Sequence, residues 1–122
     1  METLSIILVA LVAIEHIYIL VLEMFLWHKP RTQKIFSISK KDVETTKVMA
    51  ANQGLYNGFL AAGLLWGFAH SSTSFGLQIQ FFFLIFIVVA ALYGGLTVKK
   101  SIIVIQGLPA FLAILGLIFA HA

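Results

Sequence analysis

Four long apolar stretches follow one another along the chain, at about residues 3–26, 48–69, 77–98 and 102–120. A helix that crosses a bilayer needs about 20 consecutive, mostly apolar residues. All four stretches are of about that length. The pattern therefore predicts an all-α integral membrane protein, built as a bundle of four transmembrane helices. Residues 1–122 are expected to form a single transmembrane domain, as the length of the chain allows.

The polar connections between these stretches indicate how the chain is oriented. The longest connection, residues 27–47, has an excess of lysine and arginine, and the last one carries Lys99 and Lys100. The second connection, residues 70–76, carries no formal charge if His70 is neutral. Basic loops beside membrane helices lie preferentially on the cytoplasmic side. We therefore expect the first and third connections in the cytoplasm and both termini outside.

The composition narrows the class further. Of the 122 residues, 61% are hydrophobic and 11% are charged, whereas soluble domains carry roughly 25% charged residues. The absence of cysteine excludes disulfides, thiolate nucleophiles and cysteine-ligated zinc. The net charge of +3 comes from basic residues beside the apolar stretches, so it does not indicate a nucleic-acid partner. No phosphate-binding loop, dinucleotide fingerprint or nucleophile elbow is present, and no cofactor is expected.

Ionisable side chains inside the first apolar stretch are the leading candidates for function. This stretch contains Glu15, His16 and Glu23, with Tyr18 close by. An ionised carboxylate near the bilayer centre costs at least ~2.5–3.5 kcal/mol, so such residues usually face the bundle interior and often mark function. At about 100° per residue, the two carboxylates and the histidine occupy one arc of the helix.

The other three stretches add uncharged polar side chains. Those of the second stretch fall within an arc of about 140°, and the third and fourth stretches contribute one each: Asn52, Gln53, Tyr56 and Asn57, then Tyr93, then Gln106. In the expected orientation all of them lie in the cytoplasmic half of the bilayer. We predict a polar pocket that opens to the cytoplasm and is floored near the midplane by Glu15 and His16.

Several of these residues form motifs that resemble a known family. The motifs are Glu15-His16-x-Tyr18, Glu23-Met24-Phe25-x-Trp27, the run from Asn52 to Gly63 that reads NQGLYNGFLAAG, Tyr93-Gly94 and Gln106-Gly107-x-Pro109-Ala110. The chain resembles small bacterial membrane proteins grouped as a domain of unknown function, DUF1304, over nearly its whole length. The resemblance implies four helices and a multi-pass protein of the bacterial plasma membrane. It implies no activity, substrate or catalytic residue.

The leading functional hypothesis is a protein that binds or transports a small molecule, with proton coupling as an option. Glu15 would exchange protons or pair with a cation, His16 and Glu23 would relay protons, and the amides and Tyr56 would hydrogen-bond the ligand. The alternative is an intramembrane enzyme that acts on a lipid or isoprenoid. In that case Glu15 and His16 would serve as general acid and base, assisted by Tyr18 or Tyr56.

Two structural alternatives remain open, and one chemical class is disfavoured. The polar groups can simply bond helices together, at roughly 0.6 kcal/mol per interaction, or they can meet another subunit of a membrane complex. A metal site is disfavoured because adjacent residues point apart on a helix and the chain has no His-x₃-His pair. The expected partners are membrane lipids and a small-molecule or lipid ligand. Self-association into a homo-oligomer is compatible with so small a bundle.

Overall fold

The computed structural model describes residues 2–122, and this part of the chain folds into helices without any strand. Five α-helices occur in chain order: α1 Glu2–Met24, α2 Pro30–Phe36, α3 Val43–Ala69, α4 Thr73–Thr97 and α5 Leu108–His121. A 3₁₀ turn, Lys40–Asp42, precedes α3, and a π-helical segment, Ile103–Gly107, leads directly into α5. The all-α class expected from the sequence is therefore confirmed.

Three helical segments are long and apolar enough to cross a membrane, which supports a membrane protein. They are α1, α4 and the continuous segment Ile103–His121. Helix α3 has 27 residues and is long enough, but it is not among the three. It begins at Val43 rather than at about residue 48, and its polar run from Asn52 to Asn57 lowers its mean hydropathy.

Local sequence explains where the shorter elements lie. Pro30 occupies the first turn of α2, where a missing backbone N–H leaves no hydrogen bond unmade. That helix ends at Phe36 and is followed by the C-cap residue Ser37, which adopts a left-handed conformation with φ 56°. The π-helical segment ends at Gly107, two residues before Pro109. Because proline cannot donate to the carbonyl four residues earlier, a wider turn at this point accommodates it.

The chain divides into two compact units. One consists of residues 2–14 together with Leu60–Ala122, and we call it the apolar unit; the other is Glu15–Phe59, the carboxylate unit. The apolar unit has a buried core formed by Val9, Val12, Ala13, Leu64, Leu84, Ile87, Ala110, Ala113 and Leu117. The carboxylate unit has a smaller core of Trp27, Val43 and Ala50, against which Phe36 and Ile38 pack.

Glycines set the distance between α1 and α3 within the carboxylate unit. A Cβ on Gly54 would lie 2.8 Å from Met24 Cγ and 3.0 Å from Glu23 Cβ, and a Cβ on Gly58 would overlap the side chain of Leu20. Glycine at both positions allows the two helix backbones to approach closely, as small residues do in membrane proteins. This close approach positions the candidate site residues Glu23 and Asn57, which are described next.

Candidate functional site

Glu23 is buried near the end of α1 and is hydrogen-bonded to α3. Its side chain is only 8% exposed. Asn57 Nδ2 donates to Glu23 Oε1 at 2.8 Å and also to the carbonyl oxygen of Gln53 at 3.1 Å. Because Gly54 brings the helices close together, the short side chain of Asn57 can reach the carboxylate. A buried carboxylate is thus held in one orientation by a donor from a neighbouring helix.

A cavity of about 260 Å³ lies beside Glu23. It is lined by Glu23, Met24, Phe25, Trp27, His28, Val43, Glu44 and Lys47. The indole of Trp27 is fixed on two sides, because its Nε1 donates to Thr46 Oγ1 at 3.0 Å and its ring centroid lies 5.3 Å from that of Phe36. We refer to this space as the Glu23 cavity.

The residues that line the Glu23 cavity include two carboxyl groups, Glu23 and Glu44, and one lysine, Lys47. Lys47 Nζ lies 2.8 Å from Glu44 Oε2 in an exposed ion pair. The hydrogen bond from Lys47 lowers the pKa of Glu44 below its ordinary value. Since these two residues compensate each other, the carboxyl of Glu23 is the remaining acidic group among the residues that line the cavity. A carboxylate next to an indole suits a small organic cation, which is attracted by both groups.

Glu15 and His16 do not line the Glu23 cavity. His16 is 1% exposed, and Glu15 is half-buried. Glu15 Oε1 is shielded from solvent, and within residues 2–122 it has no hydrogen-bond partner. Buried polar atoms are nearly always paired, so an unpaired one identifies a place where an additional polar group can bind. The expectation that these two residues floor a four-helix pocket stays a prediction.

The remaining predicted site residues differ in exposure. Tyr18, Asn52, Gln53, Tyr56 and Tyr93 have exposed side chains, whereas Gln106 is half-buried in the π-helical segment. Tyr93 and Gln106 belong to the apolar unit and the other eight residues to the carboxylate unit. Among those eight, the structure brings Glu23 and Asn57 together, with the backbone of Gln53 as a second acceptor.

Sequence reasoning missed several residues of the Glu23 cavity. The connection between the first and second apolar stretches holds these residues, and its basic side chains chiefly indicate topology. They are Trp27, His28, Glu44 and Lys47. One signal was present: Trp27 follows Glu23 by four residues, the spacing of neighbours on a helix face.

A second polar recess, of about 190 Å³, lies within the apolar unit and was also missed. Its polar lining residues are Glu2, Ser5, His70, Thr73, Gln80 and His121. Gln80 is only 5% exposed although it carries an amide. The signal here was a glutamine within an otherwise apolar run, since residues 79–83 read IQFFF.

Comparison with known proteins agrees with the resemblance seen in the motifs. The family model described as "Protein of unknown function (DUF1304)" matches residues 10–118. "Uncharacterized protein YpaA" of Lactococcus lactis subsp. lactis (strain IL1403) is 40% identical over 121 residues, which covers 98% of this chain and 100% of the relative. No solved structure matches the chain. The chain therefore belongs to the DUF1304 family.

Proposed function

We propose that this chain is a multi-pass protein of the bacterial plasma membrane that binds a small organic cation in the Glu23 cavity. The observation that carries the proposal is the buried carboxylate of Glu23. It is oriented by Asn57 and lies beside the indole of Trp27 in a cavity large enough for a small molecule. Ionisable groups within membrane segments are functional more often than not, because their burial is costly.

The proposed topology has four spans, and the additional one is α3 from about residue 48 onwards. The 27 residues of α3 exceed the roughly 20 that a spanning helix needs. The segment between α1 and α3 carries Lys29, Arg31 and Lys34, and the segment after α4 carries Lys99 and Lys100. Both segments are then cytoplasmic and both termini lie outside. The Glu23 cavity includes residues of the first basic segment, so it opens towards the cytoplasm.

A cation is the favoured ligand because of the groups that would contact it. Glu23 uses Oε1 to accept from Asn57, and its other oxygen makes no hydrogen bond within residues 2–122. An ammonium group would pair with this oxygen, and the face of Trp27 would contribute a cation–π interaction of roughly 0.5–2 kcal/mol. Transport is a further step of the same proposal, in which a proton and the cation compete for Glu23.

A fluorescence titration tests the proposal. The chain has two tryptophans, so Trp66→Phe leaves Trp27 as the reporter in the cavity. This protein is placed in nanodiscs whose lipids have no choline headgroup. It is titrated with choline and with 3,3-dimethylbutan-1-ol, the neutral analogue of the same shape. Choline is expected to quench Trp27 at a concentration at least tenfold below that of the neutral analogue, a difference of about 1.4 kcal/mol.

Two variants assign the effect to the carboxylate. Glu23→Gln keeps the shape of the side chain and removes its charge, so the preference for choline should disappear. Glu2→Gln, the matched control, changes a carboxylate of the apolar unit and should leave the titration unchanged. Equal quenching by choline and the neutral analogue in the parent protein would refute a cation site. Circular dichroism and thermal unfolding establish that each variant is folded.

A further inference from the structure

Helix α3 has an exposed face that lies away from the Glu23 cavity. Thr45, Met49, Asn52, Tyr56 and Phe59 are all exposed, Met49 by 69% and Phe59 by 54%. They follow one another at intervals of four, three, four and three residues. Side chains spaced in this way form one line along a helix and can pack against a parallel neighbour. We call this line the Asn52 seam.

The chemistry of the Asn52 seam is unusual for a helix face that meets lipid. Midway along α1 and α4, the exposed faces are apolar, with residues such as Leu11, Ile14, Phe86 and Val89. The Asn52 seam instead has an amide at its centre and a phenol one turn later. Within residues 2–122 the Asn52 side chain makes no hydrogen bond. Hydrocarbon offers no partner for an amide, so such a group favours contact with another helix.

The two polar faces of α3 are separate. At about 100° per residue, Asn57 lies about 140° around the helix from Asn52. Asn57 is engaged with Glu23 of the same chain, whereas Asn52 is exposed. The residues of the NQGLYN run therefore serve two purposes. One side organises the cavity, and the other remains for a partner outside the chain.

The chemistry of the Asn52 seam allows it to pack against the same seam of a second copy of the chain. It has no charged residue that would call for an oppositely charged partner. A carboxamide has both donors and an acceptor, so two copies of the same amide satisfy each other. Two chains with the same orientation in a membrane are related by an axis along the membrane normal, which places equivalent residues of α3 opposite each other. A polar residue at one position of such a line fixes the register of the two helices.

We propose that α3 packs against α3 of a second copy of this chain along the Asn52 seam, with the two Asn52 amides hydrogen-bonded to each other. The tyrosine and phenylalanine then pack on either side of the symmetry axis, in continuity with the edge-to-face contact of Tyr56 and Phe59, whose centroids are 5.9 Å apart. The inference rests on the proposed membrane topology, in which α3 is a span. It does not depend on what binds in the Glu23 cavity.

Disulfide cross-linking tests this inference, because the chain contains no cysteine. Met49→Cys and Phe59→Cys place single thiols on the Asn52 seam, and Val89→Cys places one on the exposed face of α4 as the matched control. Each variant is oxidised in native membranes and separated without reductant. The seam variants should form a band at twice the 13.5 kDa of the chain, because facing positions of packed helices come within disulfide distance. The control should stay monomeric.

A second substitution distinguishes specific packing along the Asn52 seam from random collisions between chains in the membrane. Adding Asn52→Leu to Met49→Cys should lower the cross-linked fraction about threefold or more, as expected for one interhelical amide contact in a membrane. Equal cross-linking of Met49→Cys and Val89→Cys would overturn the proposal, as would a cross-linked band at another mass, which would indicate a different partner. The choline titration is repeated on Asn52→Leu. If Asn52→Leu loses cross-linking but still binds choline, the result supports packing along the Asn52 seam independently of the Glu23 cavity. If Glu23→Gln loses choline binding but still cross-links, the result supports the Glu23 cavity independently of the Asn52 seam.

Discussion

The two compact units of the chain use polar side chains in different ways. In the carboxylate unit, a buried glutamate is tied to an asparagine of another helix and lies beside a cavity. In the apolar unit, side chains such as Leu64, Leu84 and Ala113 form a continuous core. The two units should therefore respond differently to substitution. Changes in the apolar core should alter stability, and changes at Glu23 and its partners should alter binding.

The largest expected effect is a loss of stability from the apolar core. Leu84 is fully buried, so Leu84→Ala should lower the free energy of unfolding by roughly 2–5 kcal/mol, the cost of a cavity in a packed core. Val89→Ala, on the exposed face of the same helix, should change it by less than about 0.5 kcal/mol. Unfolding is followed by circular dichroism during titration with a denaturing detergent.

Leu84→Ala also tests whether a change in the core of the apolar unit leaves binding at the Glu23 cavity unaffected. In the fraction of Leu84→Ala that remains folded, choline should quench Trp27 with the half-saturation of the parent protein. If the choline concentration at half-saturation shifts in Leu84→Ala as far as it does in Glu23→Gln, then a change in the apolar core alters binding as well as stability, and the two units do not act separately.

A smaller effect is expected for the hydrogen bond that orients Glu23. Asn57→Ala removes the donor to a buried carboxylate and should cost about 1–3 kcal/mol of stability. When Glu23→Gln is already present, the acceptor is weaker, so the added cost of Asn57→Ala should fall. A double-mutant cycle measures this coupling. If the two effects simply add, Asn57 does not act through Glu23.

The smallest effect concerns the exposed pair of Glu44 and Lys47. Lys47 lowers the pKa of Glu44. The pair therefore stabilises the folded state at pH values above the ordinary pKa of glutamate. Its contribution is lost as the pH falls through the lower pKa of the folded state. NMR titration of the Glu44 carboxyl should give a pKa that returns towards the ordinary value in Lys47→Gln. An unchanged pKa would show that the pair is not formed in solution.

Much of the fold could be predicted because membrane helices are defined by length and apolarity. The stretches at about residues 3–26 and 77–98 correspond to α1 and α4, and the stretch at 102–120 to the segment Ile103–His121. The start of α3 at Val43 could not be predicted, because Val43 to Lys47 mixes charged and polar residues that carry no apolar period. The π-helical segment depends on how Pro109 is accommodated, which is a property of the folded chain.

The candidate site was predictable only in part. The cost of burying a carboxylate identifies Glu23 as a candidate, and the polar arc of the second apolar stretch identifies Asn57. Helical periodicity placed Asn52 and Asn57 in one broad arc, but it could not decide which edge of that arc faces Glu23. Gly54 decides this by bringing one side of α3 against α1. Trp27 and Lys47 come from either end of a connection, and their meeting at one cavity is a tertiary result.

In the proposed function, the carboxylate of Glu23 is the group that selects a small cation over a neutral molecule. Isothermal titration calorimetry with choline, in nanodiscs without choline lipids, tests it most directly. One choline should bind saturably per chain, with an affinity at least about tenfold weaker in Glu23→Gln and unchanged in Glu2→Gln. Equal affinity in the parent protein and in Glu23→Gln would show that the Glu23 carboxylate does not select the cation.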